Sequence, residues 1–272
     1  MEHATWPARF ILLAFSTIII GMVLSAQRGR KFHIRRIAGL TAIDEAVGRA
    51  TEMGRPLLTS IGLGGIDIVT LQALAIVTHV ARVAATFGTR LLLPVRAAAL
   101  IPIAEDAIGE VYAHAGRSEA FSGSDIVFLS GEQFAFAAGV AGMINREKVA
   151  AAFYFGTYYA ESLIMAENAN QVGAIQIAGT PSTTQIPFFV VSCDYVIIGD
   201  EFYAATAYLT RQPTLMGSIV GQDICRGILL AVILAGVVLL SAGIPLMVNL
   251  FSDKDLPTLM DYFRAASAAV KR

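Results

Sequence analysis

Apolar and polar positions alternate along this chain in two ways, and each predicts a different kind of element. Residues 10–26 carry no charged side chain. That is about 17 residues, or roughly 25 Å as a helix at 1.5 Å per residue, close to the lower limit for crossing hydrocarbon. Residues 228–251 form a second uncharged run of about 24 residues, long enough to cross with some tilt. Between the two runs the pattern changes: helical stretches alternate with short apolar or β-branched runs, separated by glycine, proline or small polar residues. This alternation predicts an α/β, Rossmann-like fold, with a mostly parallel sheet and helices on both faces, inserted between two transmembrane helices.

The expected elements follow in order. A helix over 41–53 opens with Thr41 as N-cap, has Asp44 and Glu45 in its first turn, and stops at Gly54. Strands are expected over 56–61, 89–95, 125–129, 149–155, 174–178 and 195–198. Helices are expected over 67–87, 97–115, 132–145, 162–170 and 200–210, with a less defined segment at 185–192. No fixed-length repeat accompanies these six strand-helix units, so a solenoid is not inferred. The aromatic and alanine-rich stretches 134–143 and 153–159 are broken by Arg146, Glu147, Lys148 and Glu161. They read as buried core rather than a third crossing.

Charge then sets the orientation. Arg28, Arg30, Lys31, Arg35 and Arg36 directly follow the first apolar run, and basic residues beside a span are retained on the cytoplasmic side. The chain is therefore divided into an extracytoplasmic start (1–9), a first span (10–27), a basic juxtamembrane segment (28–36) and a cytoplasmic α/β domain (37–226). A second span (227–251) and an extracytoplasmic amphipathic tail (252–272) complete it, in the inner membrane. A cleaved signal peptide is disfavoured because its charges would precede the apolar core and Leu24 spoils the cleavage pattern. Gly227, Ala231 and Ala235 recur every fourth position in the second span, a spacing that lets membrane helices approach closely. Pro245 is expected to kink that span near its end. Neither uncharged run carries an internal ionisable residue, which argues against a proton relay.

Composition agrees with this division. Across 272 residues, 56% hydrophobic content with only 15% charged exceeds the usual globular balance, and membrane segments account for the excess. A net charge of −1 gives no pull toward nucleic acid. Cys193 and Cys225 lack metal-ligand spacing and read as two separate thiols.

Three segments, DEAVGRATEMGRP at 44–56, QFAFAAGVAG at 133–142 and QIAGT at 176–180, resemble an uncharacterised bacterial membrane-protein family that carries a domain of unknown function. The resemblance covers most of the cytoplasmic domain and implies no activity, substrate or cofactor.

Candidate chemistry falls where strands run into helices, because backbone donors and positive helix ends gather there. Gly62, Gly64 and Gly65 with Asp67 resemble a nucleotide-binding turn, but the G-x-G-x-x-G spacing is incomplete, and a tight turn without a ligand is the simpler reading. Arg96 could hold an anion by a two-point contact or pair with Glu105 or Asp106. Thr180, Ser182 and Thr183 place hydroxyls at an expected helix start, suited to a phosphate or carboxylate, or to capping alone. Glu132, Glu161, Asp200 and Glu201 also stand near helix starts and would bind a divalent cation only if several converged. No G-x-S-x-G, H-E-x-x-H or Walker-type motif occurs. His79 and His114 sit in expected helices and are assigned to packing.

The leading expectation is a membrane-anchored structural or assembly subunit, homo-oligomeric or part of a larger membrane array. Its alternatives are a regulator or enzyme handling a small anionic or nucleotide ligand, with no cofactor specified, and an oligomeric pore lined by Ser16, Thr17 and Ser241.

Overall fold

The structure, a computed structural model, describes residues 6–30 and 38–242. Its contacts divide the chain into two units, a helical one drawn from both ends of the sequence and an α/β domain between them. Lys31, Arg35, Arg36, Pro245 and the 252–272 tail lie outside the described residues.

The domain begins with α2 (Ala38–Met53), followed by β1 (Leu57–Gly62), α3 (Ile68–Phe87), β2 (Leu91–Val95) and α4 (Ile101–His114). Next come β3 (Ile126–Phe128), α5 (Gln133–Glu147), β4 (Ala151–Thr157), α6 (Ser162–Gln171) and β5 (Ile175–Thr180). The domain ends with α7 (Ile186–Ser192), β6 (Tyr195–Ile198) and α8 (Asp200–Thr210). All six strands are parallel, in the order β3-β2-β1-β4-β5-β6.

A period of two along the strands distributes their side chains between the faces. Leu57 and Ile61 of β1, Leu91, Leu93 and Val95 of β2, and Phe153 and Phe155 of β4 pack with α2, α3, α4 and α8. Leu58, Leu92, Ala152 and Tyr154 point the other way, into a second core with α5, α6 and α7. Helices therefore cover both faces, which explains why β1 is buried at every position and reads as a continuous apolar run. Pro94 lies in the interior strand β2, where the pairing with β1 has already ended at Leu92. Its missing N–H therefore costs that ladder nothing.

The helical unit contains α1 (Trp6–Gln27) and α9 (Pro213–Ser241). The second apolar run thus belongs to a helix that starts at Pro213, ahead of Arg226, and that includes Asp223. Small residues determine how the two helices meet. A Cβ on Gly217 would lie 2.7 Å from Val23 Cα and 3.0 Å from Ala26 Cβ, and one on Gly221 would lie 3.0 Å from Ile19 Cα. Moving up α9 moves down α1, so the pair is an antiparallel hairpin whose backbones touch through Gly217 and Gly221, at the four-residue spacing that permits such approach. The expected stripe at Gly227 does not form this contact: nothing lies within 4 Å of a Cβ placed there.

Among the described residues three helices are long and apolar enough to cross a membrane: α1 from Arg9, α3 and α9. In α3 half of that stretch is buried inside the protein, against 6% in the other two. Ala73, Val77, Val80, Ala81 and Ala84 supply the buried face, so the apolarity of α3 is consumed by the domain core. The bare apolar surfaces of α1 and α9 point to membrane association.

Candidate functional site

The strand order places β1 and β4 at the centre, with the chain winding outward to opposite sides. Their C-terminal ends form the switch point where ligands of open parallel sheets usually sit. Each sequence-predicted site falls on this edge. The glycine turn follows β1, Arg96 follows β2, and Thr180 ends β5.

At the switch point itself the two strands close on one another. Gly62 has φ +79° and Gly156 has φ +122°, both in the left-handed region that glycine tolerates. A Cβ on Gly62 would strike the Thr157 carbonyl, and one on Gly156 would strike the Ile61 carbonyl. The pairing register shifts between Ser60 and Gly62, and Leu63 N–H donates to the Thr157 carbonyl at 2.8 Å. Beneath this, fully buried Tyr158 donates to the Ser60 carbonyl at 2.9 Å and meets Phe189 edge-on at 5.3 Å. The switch point is thus packed with backbone and aromatic rings.

The turn that follows is organised around Asp67. Its carboxylate caps α3, accepting from Thr70 N–H at 2.7 Å, and Gly64 lies so close that a Cβ there would be 2.7 Å from Asp67 Oδ2. A negative charge therefore already stands at the positive end of the helix, where a phosphate would bind in a nucleotide turn. The Thr70 hydroxyl beside it is buried with no hydrogen-bond partner among the described residues. Gly65 and Asp67 are exposed.

Arg96 is brought to the same turn. It donates from Nη1 to the Leu63 carbonyl at 2.7 Å and from Nε to the Gly131 carbonyl at 2.7 Å. These two acceptors, rather than Glu105 or Asp106, hold it, so Arg96 ties the loop after β1 to the loop after β3. Thr180 is fully buried, and its hydroxyl accepts from Ser182 N–H at 3.2 Å. Ser182 and Thr183 do not cap a helix, because α7 starts at Ile186 with Gln185 as its N-cap. Their loop lies two strands from the glycine turn, across β4.

Glu161 has a role that spacing alone did not reveal. It is fully buried, and it accepts from Gln133 Nε2 at 2.5 Å and from Tyr159 N–H at 2.8 Å. It therefore joins the start of α5 to the start of α6. Among the described residues no group of three His, Cys, Asp or Glu side chains converges as a metal site would require. His79 stands 3.9 Å from Asp44, and His114 stands 3.4 Å from Glu110. In the helical unit, the Thr17 and Ser241 hydroxyls donate to carbonyls of their own helices, Leu13 and Val238.

A second feature lies on the far side of the sheet. Leu163 and Ile164 of α6 and Phe188, Val190 and Val191 of α7 are exposed, Val191 by 85%. An open groove of about 390 Å³ separates these helices, lined by Leu163, Glu167, Asn170, Gln171, Val191 and Ser192. Beside α7 runs β6, at one edge of the sheet and paired on one side only among the described residues.

No curated protein and no solved structure matches the chain. One family model does, over residues 2–251, and so through α1, the whole α/β domain and α9. The chain therefore belongs to the family defined by DUF6754, a domain of unknown function.

Proposed function

We propose that this protein is a membrane-anchored assembly subunit, held in the inner membrane by α1 and α9, whose cytoplasmic α/β domain associates with further copies of itself. The observation that carries this reading is the apolar face of α6 and α7 beside the edge strand β6. Leu163, Ile164, Phe188, Val190 and Val191 are large apolar side chains exposed on these two helices, the kind of surface that marks association. A second copy is the favoured occupant because a strand edge is complementary to itself. Two β6 strands related by a two-fold axis pair antiparallel and bring both α7 faces together. Orientation rests on Arg28 and Arg30, with Lys31, Arg35 and Arg36 beyond them. The antiparallel hairpin puts the two ends that join the domain on one side of the bilayer, and the basic cluster selects which side.

Light scattering of the detergent-extracted protein over a dilution series tests this reading. The expected mass is a multiple of 28.9 kDa, reduced in Val191→Glu, which places a charge in the apolar face. A monomeric mass for the unaltered chain at every dilution would overturn it.

A second reading has its own support in the contact between Arg96 and the glycine turn. A small anionic ligand would sit at that edge, reached by the guanidinium and by the N-terminus of α3. Calorimetric titration with nucleoside phosphates, compared between the unaltered chain and Arg96→Ala, tests it.

A further inference from the structure

The turn after β1 exposes large apolar side chains to an unusual degree for a connection between a strand and a helix. Ile66 is exposed by 62% and Ile68 by 71%, and Leu71, one turn along α3 from Ile68, is exposed as well. Residues three apart on a helix share a face, so Ile68 and Leu71 extend one apolar surface. Asp67 stands between the two isoleucines, but its carboxylate is held on Thr70 N–H at 2.7 Å. Grouped apolar exposure of this kind marks a contact with something outside the domain.

The path of the chain says what that is. Within the domain, α8 packs on the start of α3: the Thr206 hydroxyl donates to the Gln72 carbonyl at 3.4 Å, and α8 ends one turn later at Thr210. The chain therefore leaves the domain beside the first turns of α3. Within the hairpin, Gly217 stands against Val23 and Ala26. Pro213 lies four residues earlier, about 6 Å along the axis, and so level with about Arg28, just past the uncharged run 10–26. With α1 spanning the bilayer through that run, α9 begins at the cytoplasmic surface. Asp223 and Arg226 then enter the bilayer 3.8 Å apart at i,i+3 spacing, paired as intramembrane charges are. Only Arg211 and Gln212 separate Thr210 from Pro213, and three Cα steps reach at most about 11 Å. The exit from the domain is thereby tethered at the headgroups. Arg211, exposed at the left-handed position that ends α8, adds a positive charge there, which anionic lipid attracts.

We propose that the turn between β1 and α3 is a membrane-contact element: Ile66, Ile68 and Leu71 seat in the cytoplasmic leaflet of the bilayer that α9 crosses. Shallow burial of an apolar face at the boundary between headgroups and acyl chains is how peripheral elements hold a membrane surface. The inference rests on the reading of the chain as membrane-anchored, and it gives the domain a contact with lipid separate from the α6–α7 face.

The test uses the full chain, with Cys193→Ser and Cys225→Ser as background, in vesicles of phosphatidylcholine and phosphatidylglycerol. Single cysteines carrying an environment-sensitive fluorophore are compared with and without lipids brominated on their acyl chains, which quench on contact. A label at Ile68→Cys should lose emission severalfold in brominated vesicles, as should one at Leu234→Cys on the exposed face of α9. A label at Glu119→Cys, exposed elsewhere on the domain, should keep its emission. Adding Ile66→Asp and Leu71→Asp should restore most of the emission at Ile68→Cys. Quenching at Leu234→Cys with none at Ile68→Cys overturns this inference and leaves the membrane anchor intact. A blue-shifted but unquenched label at Ile68→Cys does the same, because protein rather than lipid then covers the turn. So does quenching that the two aspartates leave unchanged, or quenching as strong at Glu119→Cys. An unquenched label at Leu234→Cys overturns both.

Discussion

At the residue scale, burial governs the chemistry of this domain more than charge pairing does. Cys193 is the clearest case. Loss of hydration pushes its thiol up from the ordinary value of 9.0 to about 12, opposed in part by the Ser192 hydrogen bond and reinforced by Asp194. The folded thiol stays protonated and weakly nucleophilic, since the thiolate is the reactive form. Iodoacetamide labelling of Cys193 in the folded protein should therefore stay slow between about pH 7 and pH 9, still climbing roughly ten-fold per pH unit with no levelling near pH 9, and accelerate on unfolding. The same shift has a sign for stability. Above its ordinary value the unfolded chain releases this proton and the folded chain keeps it, so the contribution is full below pH 9.0 and is lost as pH climbs toward about 12. Replacing Cys193 with Ala should flatten that limb of an unfolding curve measured against pH.

Elements show what was legible in the sequence and what was not. Strand and helix periods placed all six strands, because the switch from period two to period 3.6 is written locally. Asp67 was visible as a helix start, and in the structure Gly88, in the αL conformation, ends α3. The closing of β1 on β4 was not readable, because Gly62 and Gly156 lie far apart in sequence and the need for both glycines arises only when the strands pair. The loop at Thr180 failed as a cap for a related reason: Thr180 stays in the strand, and Ser182, Thr183 and Thr184 all pass before the chain turns helical at Ile186. The small-residue stripe of α9 was expected at Gly227, yet the tight contact is at Gly217 and Gly221, ahead of the uncharged run that begins at 228. Gly221→Leu should force the α1 and α9 backbones apart, and lower the midpoint of thermal unfolding in detergent. Gly227→Leu, with no neighbour in the hairpin, should leave that midpoint near the unaltered value.

At the scale of the whole molecule, the protein is an α/β domain fastened at both ends to apolar helices, and the orientation proposed for it rests on one basic cluster. In intact cells, a membrane-impermeant thiol reagent should not label a cysteine introduced at exposed Glu119 of the domain, and should label it after the cells are opened. Labelling of intact cells would invert the topology. One detail of the domain bears on any search for a soluble ligand. The carboxylate of Asp67 is tethered three positions from the amide it occupies, so its effective concentration there is roughly millimolar or higher. The protein thus carries its own stand-in for phosphate. A dissolved anion could displace it only by engaging more donors than one helix end offers, and Arg96, held on the Leu63 carbonyl of the same turn, is one residue placed to supply them.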